Sequence, residues 1–286
     1  MLNNTDCCTS HDKLRGIRAI AFDADDTLWE LQNHFEAVEH EYCRLLAPWG
    51  CSDEVSAALF ATETANMADM GYGCKAFTIS LVENAVWVSH GAVTGDIIGR
   101  IVELGKSLLH LDASPLDGVE ETLRYLHDLT DAHGARRYRL AVFTKGELLD
   151  QENKLRRSGL APFFDVVSIV SDKTEEAYHH LCSDLEVTPA QLLMVGNSFR
   201  SDIAPALQIG AYAVHVPFRT IWAHEKTEEY EHERLWRVDS LKEMLSFEFL
   251  VLNFELSAMP IKNYSIRSFE FATLNSQFSI QNARSA

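Results

Sequence analysis

After "SPLDG" the chain alternates two hydrophobic patterns, and this alternation constrains the fold more than any other feature. Helical segments "VEETLRYLHDL", "LLDQENKLRRSG", "EEAYHHLCSDL" and "DIAPALQIG" are interleaved with short apolar runs "YRLAVFT", "FDVVSIV", "LLMVG" and "YAVHV". Strands regularly separated by helices pair in parallel, because each connection has to cross a face of the sheet, and the helices then cover both faces. The pattern predicts a doubly wound parallel α/β sheet. An earlier run, "GIRAIAF", ends at Asp23 and reads as a further buried strand of the same sheet.

Between that first strand and the alternating region the period is helical throughout. Four segments, "NHFEAVEHEYCRLLAPWG", "SDEVSAALFATETANMADM", "AFTISLVENAVWVSH" and "TGDIIGRIVELGKSLL", carry apolar residues at helix spacing. Ser52 and Thr94 stand where N-caps are expected. The organisation predicted is a tail over residues 1–15, an α/β core over 16–30 and 113–240, an all-helical insert over 31–112, and a C-terminal extension of unknown structure over 241–286. From Ser246 onward the extension is dense in aromatics, Ser and Asn, with an alternation that suggests strands rather than a closing helix.

In doubly wound sheets ligands bind outside the carboxyl ends of the strands. Here those ends are Asp23, Thr144, the "SDK" around Lys173, and "GNSFRSD" from Gly196 to Asp202. The first is the most demanding, since "AFDADDTLWE" sets three aspartates within four positions directly behind an apolar strand. A buried carboxylate costs several kcal/mol unless it is paired, so the cluster requires open solvent or a cation. It reads either as an acidic turn that caps the next helix or as a magnesium site holding a carboxylate nucleophile.

The formal charge of -17 at pH 7 repels polyanions, and "GARRYR" is too short to override it, so nucleic acid is not an expected partner. The six cysteines are scattered without metal-ligand spacing, and reduced thiols are expected. The N-terminus lacks the basic start and apolar run of a secretory signal, and no segment is long and apolar enough to span a bilayer. A cytoplasmic protein with no membrane partner is the expectation.

With "DADDT", "LAVFTKG", "VSDK" and "VGNSFRSD" in order at four strand ends, the sequence resembles the haloacid dehalogenase (HAD) superfamily, mainly its phosphatase branch, over about residues 16–240. The resemblance implies a Rossmann-like core with the helical insert as a cap domain, and hydrolysis of a small phosphorylated metabolite. It implies Asp23 as the nucleophile that forms an aspartyl-phosphate, and Asp25 as the acid that protonates the leaving oxygen and the base that then activates water. Thr144 and Lys173 would bind the phosphoryl group, and Mg2+ would be held by Asp23, the backbone carbonyl of Asp25, Asn197 and Asp202. One departure is Asn197, where many members carry an aspartate.

Other residues keep two readings. Asp26 and Thr27 fit helix capping, Trp29 fits packing, and Lys145 and Gly146 fit either a phosphate loop or a plain turn. Lys75, His34, Glu36 and Trp49 could reach a cavity under the cap but read as ordinary helix-face residues. The loop "PFRTIWAHE" mixes basic and aromatic residues without an assignable role. Two alternative functions remain: a dehalogenase, disfavoured because such enzymes usually carry tyrosine at the Asp25 position, and a catalytically silent binding protein on the same fold. The oligomeric state and natural substrate are not legible.

Overall fold

The computed structural model describes residues 16–131 and 133–245. The expected N-terminal tail and the expected strands after Ser246 lie outside the described residues.

Six strands form one parallel sheet: β1 (Ala19–Phe22), β2 (Arg139–Lys145), β3 (Val166–Val170), β4 (Leu192–Gly196), β5 (Tyr212–His215) and β6 (Leu235–Arg237). Their order is β3-β2-β1-β4-β5-β6, and every pairing is parallel. The central strands are apolar because both faces are covered. On one face Ile20, Phe22, Leu140, Val142, Leu193 and Val195 pack with helix α5 (Val119–Asp128). On the other Ala19, Ala21, Ala141, Phe143, Leu192 and Met194 pack with α7 (Glu175–Asp184). Leu241 and Met244 also join the first of these clusters, so the chain stays on the core as far as it is described.

The central strand β1 pairs with β2 on one side and β4 on the other. The chain runs outward from β1 to β3, then returns to β4 and runs outward the other way. Connections therefore diverge at the carboxyl ends of β1 and β4, which is where a doubly wound sheet opens a crevice.

The helical block follows β1 directly: α1 (Gln32–Leu46), α2 (Ser52–Met70), α3 (Cys74–Val88) and α4 (Gly95–Leu108). It has a core of its own, in which Tyr42, Leu46, Val55, Leu59, Leu81 and Ile101 are buried. Buried Asn84 donates to the Tyr42 hydroxyl at 2.8 Å, giving the amide a partner inside that apolar cluster. Thr94 caps α4 by accepting from the Ile97 N–H. Ser52 is not a cap: Cys51 holds that position and Ser52 is the first helical residue, with the Glu54 carboxylate accepting from the Cys51 N–H at 3.1 Å. Among the described residues no helix is long and apolar enough to cross a membrane.

Candidate active site

The connections at the carboxyl edge of the sheet deliver the polar groups of the crevice. Asp23 leaves β1 with its N–H bonded to the Val195 carbonyl at 2.8 Å, which holds its side chain between β1 and β4. Lys173 is not a surface charge. It is buried, and its Nζ lies 2.6 Å from Asp23 Oδ1 and 2.6 Å from Asp202 Oδ1. Thr144 is buried at the end of β2 and caps no helix, the N-cap of α6 (Leu148–Ser158) being Glu147.

The loop after β4 is bent to place two groups. A wide π-type turn over Phe199–Ile203 brings Asp202 back beneath Gly196, and a Cβ on Gly196 would collide with the Asp202 carboxylate. Asp202 Oδ2 accepts from the Ser198 N–H at 3.0 Å, while the Tyr178 hydroxyl donates to the Asp202 carbonyl at 2.7 Å. Asn197 Oδ1 and Asp23 Oδ2 both lie within reach of Thr27 Oγ1, at 3.2 and 3.1 Å, so Thr27 ties the first loop to the fourth rather than capping a helix. Asp26 does cap: its carboxylate accepts from the Leu31 and Gln32 N–H groups at the start of α1. Burial raises the Asp26 carboxyl to about 6, against those bonds.

Asp25 sits in a nest of donors. Lys154 Nζ lies 2.7 and 3.0 Å from its two oxygens, Gln151 Nε2 donates at 2.7 Å, and Trp29 Nε1 donates at 2.8 Å. Trp29 is thus both core and site. Lys154 and Gln151 come from α6, and the sequence reading missed both. Gly146 makes room for Gln151: its φ is +143°, and a Cβ there would meet Gln151 Nε2 at 2.8 Å. Lys145 pairs with Glu225 and donates to Ser201 Oγ at 2.8 Å, which gives a role to the loop that the sequence left unassigned. That loop also meets the helical block, with His224 stacked on Phe60 and Trp222 edge-on to Tyr72. Of the four candidates on the helical block, His34, Glu36 and Trp49 do not line the cavity. Lys75 does not line it either, and instead bridges to Glu147 on the core at 3.0 Å.

The centre carries more negative charge than its own cations balance. Burial and the neighbouring Asp202 push the Asp23 carboxyl upward against the pull of Lys173. Burial works against the Lys173 ammonium too, but Asp202 and Asp23 outweigh it and hold the lysine charged. Two buried carboxylates share one lysine, which leaves negative charge uncompensated. Among the described residues no cluster of three His, Cys, Asp or Glu side chains is arranged to hold a metal. The donors expected here are of another composition: two carboxylates, the Asn197 amide oxygen and the Asp25 backbone carbonyl. An all-oxygen set with residual negative charge suits a hard divalent cation, so these residues fit Mg2+.

Residues 17–210 match the family of haloacid dehalogenase-like hydrolases. A glyceraldehyde 3-phosphate phosphatase of Methanocaldococcus jannaschii is 25% identical over 80% of this chain and 96% of its own length. An N-acylneuraminate-9-phosphatase of Mus musculus is 28% identical over 30% of this chain, and the match spans only 35% of that relative. The crystal structure of a haloacid dehalogenase-like family hydrolase from Xanthomonas campestris superposes with a TM-score of 0.71 at 27% identity, covering 85% of this chain and 95% of that one. An L-2-haloacid dehalogenase from Xanthobacter autotrophicus shares the fold at 17% identity and a TM-score of 0.55, over 82% and 98% of the two chains.

Proposed function

The chain belongs to the haloacid dehalogenase-like hydrolase family, and from that premise we propose that it is a magnesium-dependent phosphatase acting on a small phosphorylated metabolite through an aspartyl-phosphate. The observation that carries this reading is the pair of carboxylates two residues apart with different partners. Asp23 is set in the crevice against Lys173, while Asp25 is held by Lys154, Gln151 and Trp29. A phosphate ester needs two such groups, because its alkoxide leaves only with a proton; a halide leaves without one.

Asp23 attacks phosphorus, and the P–O bond to the leaving group breaks as Asp25 gives that oxygen its proton. Asp25, now a carboxylate, takes a proton from the water that hydrolyses the aspartyl-phosphate, and this returns it to the acid form for the next turnover. Lys154, Gln151 and Trp29 orient the Asp25 side chain toward the reacting oxygen. Lys173 and the Thr144 hydroxyl hold the phosphoryl oxygens. Bound Mg2+, held by Asp23, Asp202, Asn197 and the Asp25 carbonyl, would screen the dianion from the attacking carboxylate. The two phosphatase relatives support the reading by resemblance.

The deciding experiment is release of inorganic phosphate from a panel of phosphate esters with magnesium and with chelator, for the wild-type protein and Asp23→Asn. Magnesium-dependent release lost in the variant is expected. Undiminished release by Asp23→Asn overturns the mechanism, and chloride release from 2-chloropropionate without any phosphatase activity overturns the assignment in favour of a dehalogenase.

A further inference from the structure

A cavity of about 170 Å³ opens beyond Asp23, between the sheet edge and the helical block. Its walls on that side are largely apolar, built from Phe35 of α1, Met67 of α2, Phe77 of α3 and Trp222 of the loop after β5. Glu63, Asn66 and Met67 recur at helix spacing and so share one face of α2, which presents two polar groups to the same space. The Glu63 side chain is largely buried there, with His224 Nε2 at 3.4 Å from its carboxylate.

The charges that line this cavity are unbalanced. Seven carboxylate side chains face three lysines, with no arginine or histidine among the lining residues. Each lysine is already committed. Lys145 pairs with Glu225, Lys154 with Asp25 and with Asp150 at 3.6 Å, and Lys173 with Asp23 and Asp202. The phosphoryl group claims Lys173 and the metal. A second anion on the substrate would enter the apolar end of the cavity with no cation to meet it and with Glu63 beside it, an arrangement that rejects charge by repulsion as well as by desolvation.

We propose, resting on the phosphatase reading above, that the substrate is the phosphate monoester of an uncharged alcohol with an apolar or aromatic face, and that Glu63 is the residue that sets this specificity. The ring or alkyl face lies between Trp222 and the Phe35–Phe77 pair, whose rings pack on each other at 4.9 Å, and Glu63 with Asn66 receives a hydroxyl at its far end. Substrates bearing a second phosphate or a carboxylate are excluded.

The test compares phenyl phosphate with 4-carboxyphenyl phosphate, two esters of matched shape, in magnesium at about pH 8. The carboxylate makes the phenolate a slightly better leaving group, so intrinsic reactivity favours the ester the cavity rejects. We expect kcat/KM for phenyl phosphate to exceed that for the carboxylated ester by about tenfold or more. In Glu63→Gln that ratio should fall severalfold, the change residing in KM. Equal rates for the two esters, or a preference for the carboxylated one, in the wild-type protein overturns the inference and leaves the phosphatase reading intact. The inference is likewise overturned if neither aryl ester is hydrolysed while other members of the phosphate panel are. Release from no ester at all removes the phosphatase reading and this inference with it.

Discussion

Lys154→Met tests whether the buried charges of α6 are held by the pairing seen around Asp25. Lys154 is 1% exposed, and burial works against its ammonium, yet Asp25 and Asp150 raise it above the ordinary lysine value. Removing it strands two carboxylates unequally. Asp25 keeps Gln151 and Trp29 as donors. Asp150 is 4% exposed, its Oδ1 has no hydrogen-bond partner, and its Oδ2 would retain the Cys74 Sγ, at 3.4 Å, as its donor. Breaking a buried pair from one side costs ~3–5 kcal/mol, because a charge is left without compensation. At about 2–4 °C for each kcal/mol in a domain of this size, the melting temperature should drop by roughly 6–20 °C. Thermal and urea unfolding of the wild type, Lys154→Met and Lys154→Met/Asp150→Asn would read this directly. The double variant should recover part of the loss, since the stranded charge is gone. A single variant within about 1 kcal/mol of wild type, or a double variant no more stable than the single, refutes the reasoning.

Asp25→Asn should slow both half-reactions, so a phosphoenzyme on Asp23 is expected to accumulate with activated esters, seen as a mass increase on intact protein; full turnover would remove Asp25 from its role. Asn197→Asp adds a formal charge to the oxygen set formed with Asp23 and Asp202, and the magnesium concentration for half-maximal phosphate release should fall; an unchanged or higher requirement means that Asn197 does not ligate the ion. Burial, then Glu39, pushes the Glu63 carboxyl from 4.5 up to about 7, so the unfolded chain ionises first and stability is lost as pH rises between those values. Glu63→Gln should therefore match wild type near pH 4.5 and exceed it by up to ~3 kcal/mol above pH 7, at about 1.4 kcal/mol for each pH unit; a stability difference that does not vary with pH would refute this.

How much of this was legible in the sequence depended on what each helix faces. The strands that carry Asp23, Thr144, Lys173 and Asp202 were readable because a parallel strand covered on both faces is an apolar run, and its polar end marks the carboxyl edge. β6 was not readable: it has three residues at the sheet's edge, none fully buried, in the charged stretch "EHERLWR". α6 misled more seriously. Its sequence "LLDQENKLRRS" invites burial of the leading leucines, yet Leu148 and Leu149 are 58% and 55% exposed while Asp150, Gln151 and Lys154 are buried. Hydrophobic period reports which face meets an apolar core, and this face meets the Asp25 carboxylate instead. Glu63 and Glu225 escaped for a related reason, since each reaches the crevice only through the docking of the helical block and the loop after β5. The residues that a strand end presents to the crevice could thus be found one at a time from local pattern. Those that pair with them had to be found through contacts such as Lys154 to Asp25, 129 positions apart in the chain. On α6 only Leu155 packs into the core while Leu148 and Leu149 stay exposed, so the spacing of its leucines does not mark the face that meets Asp25.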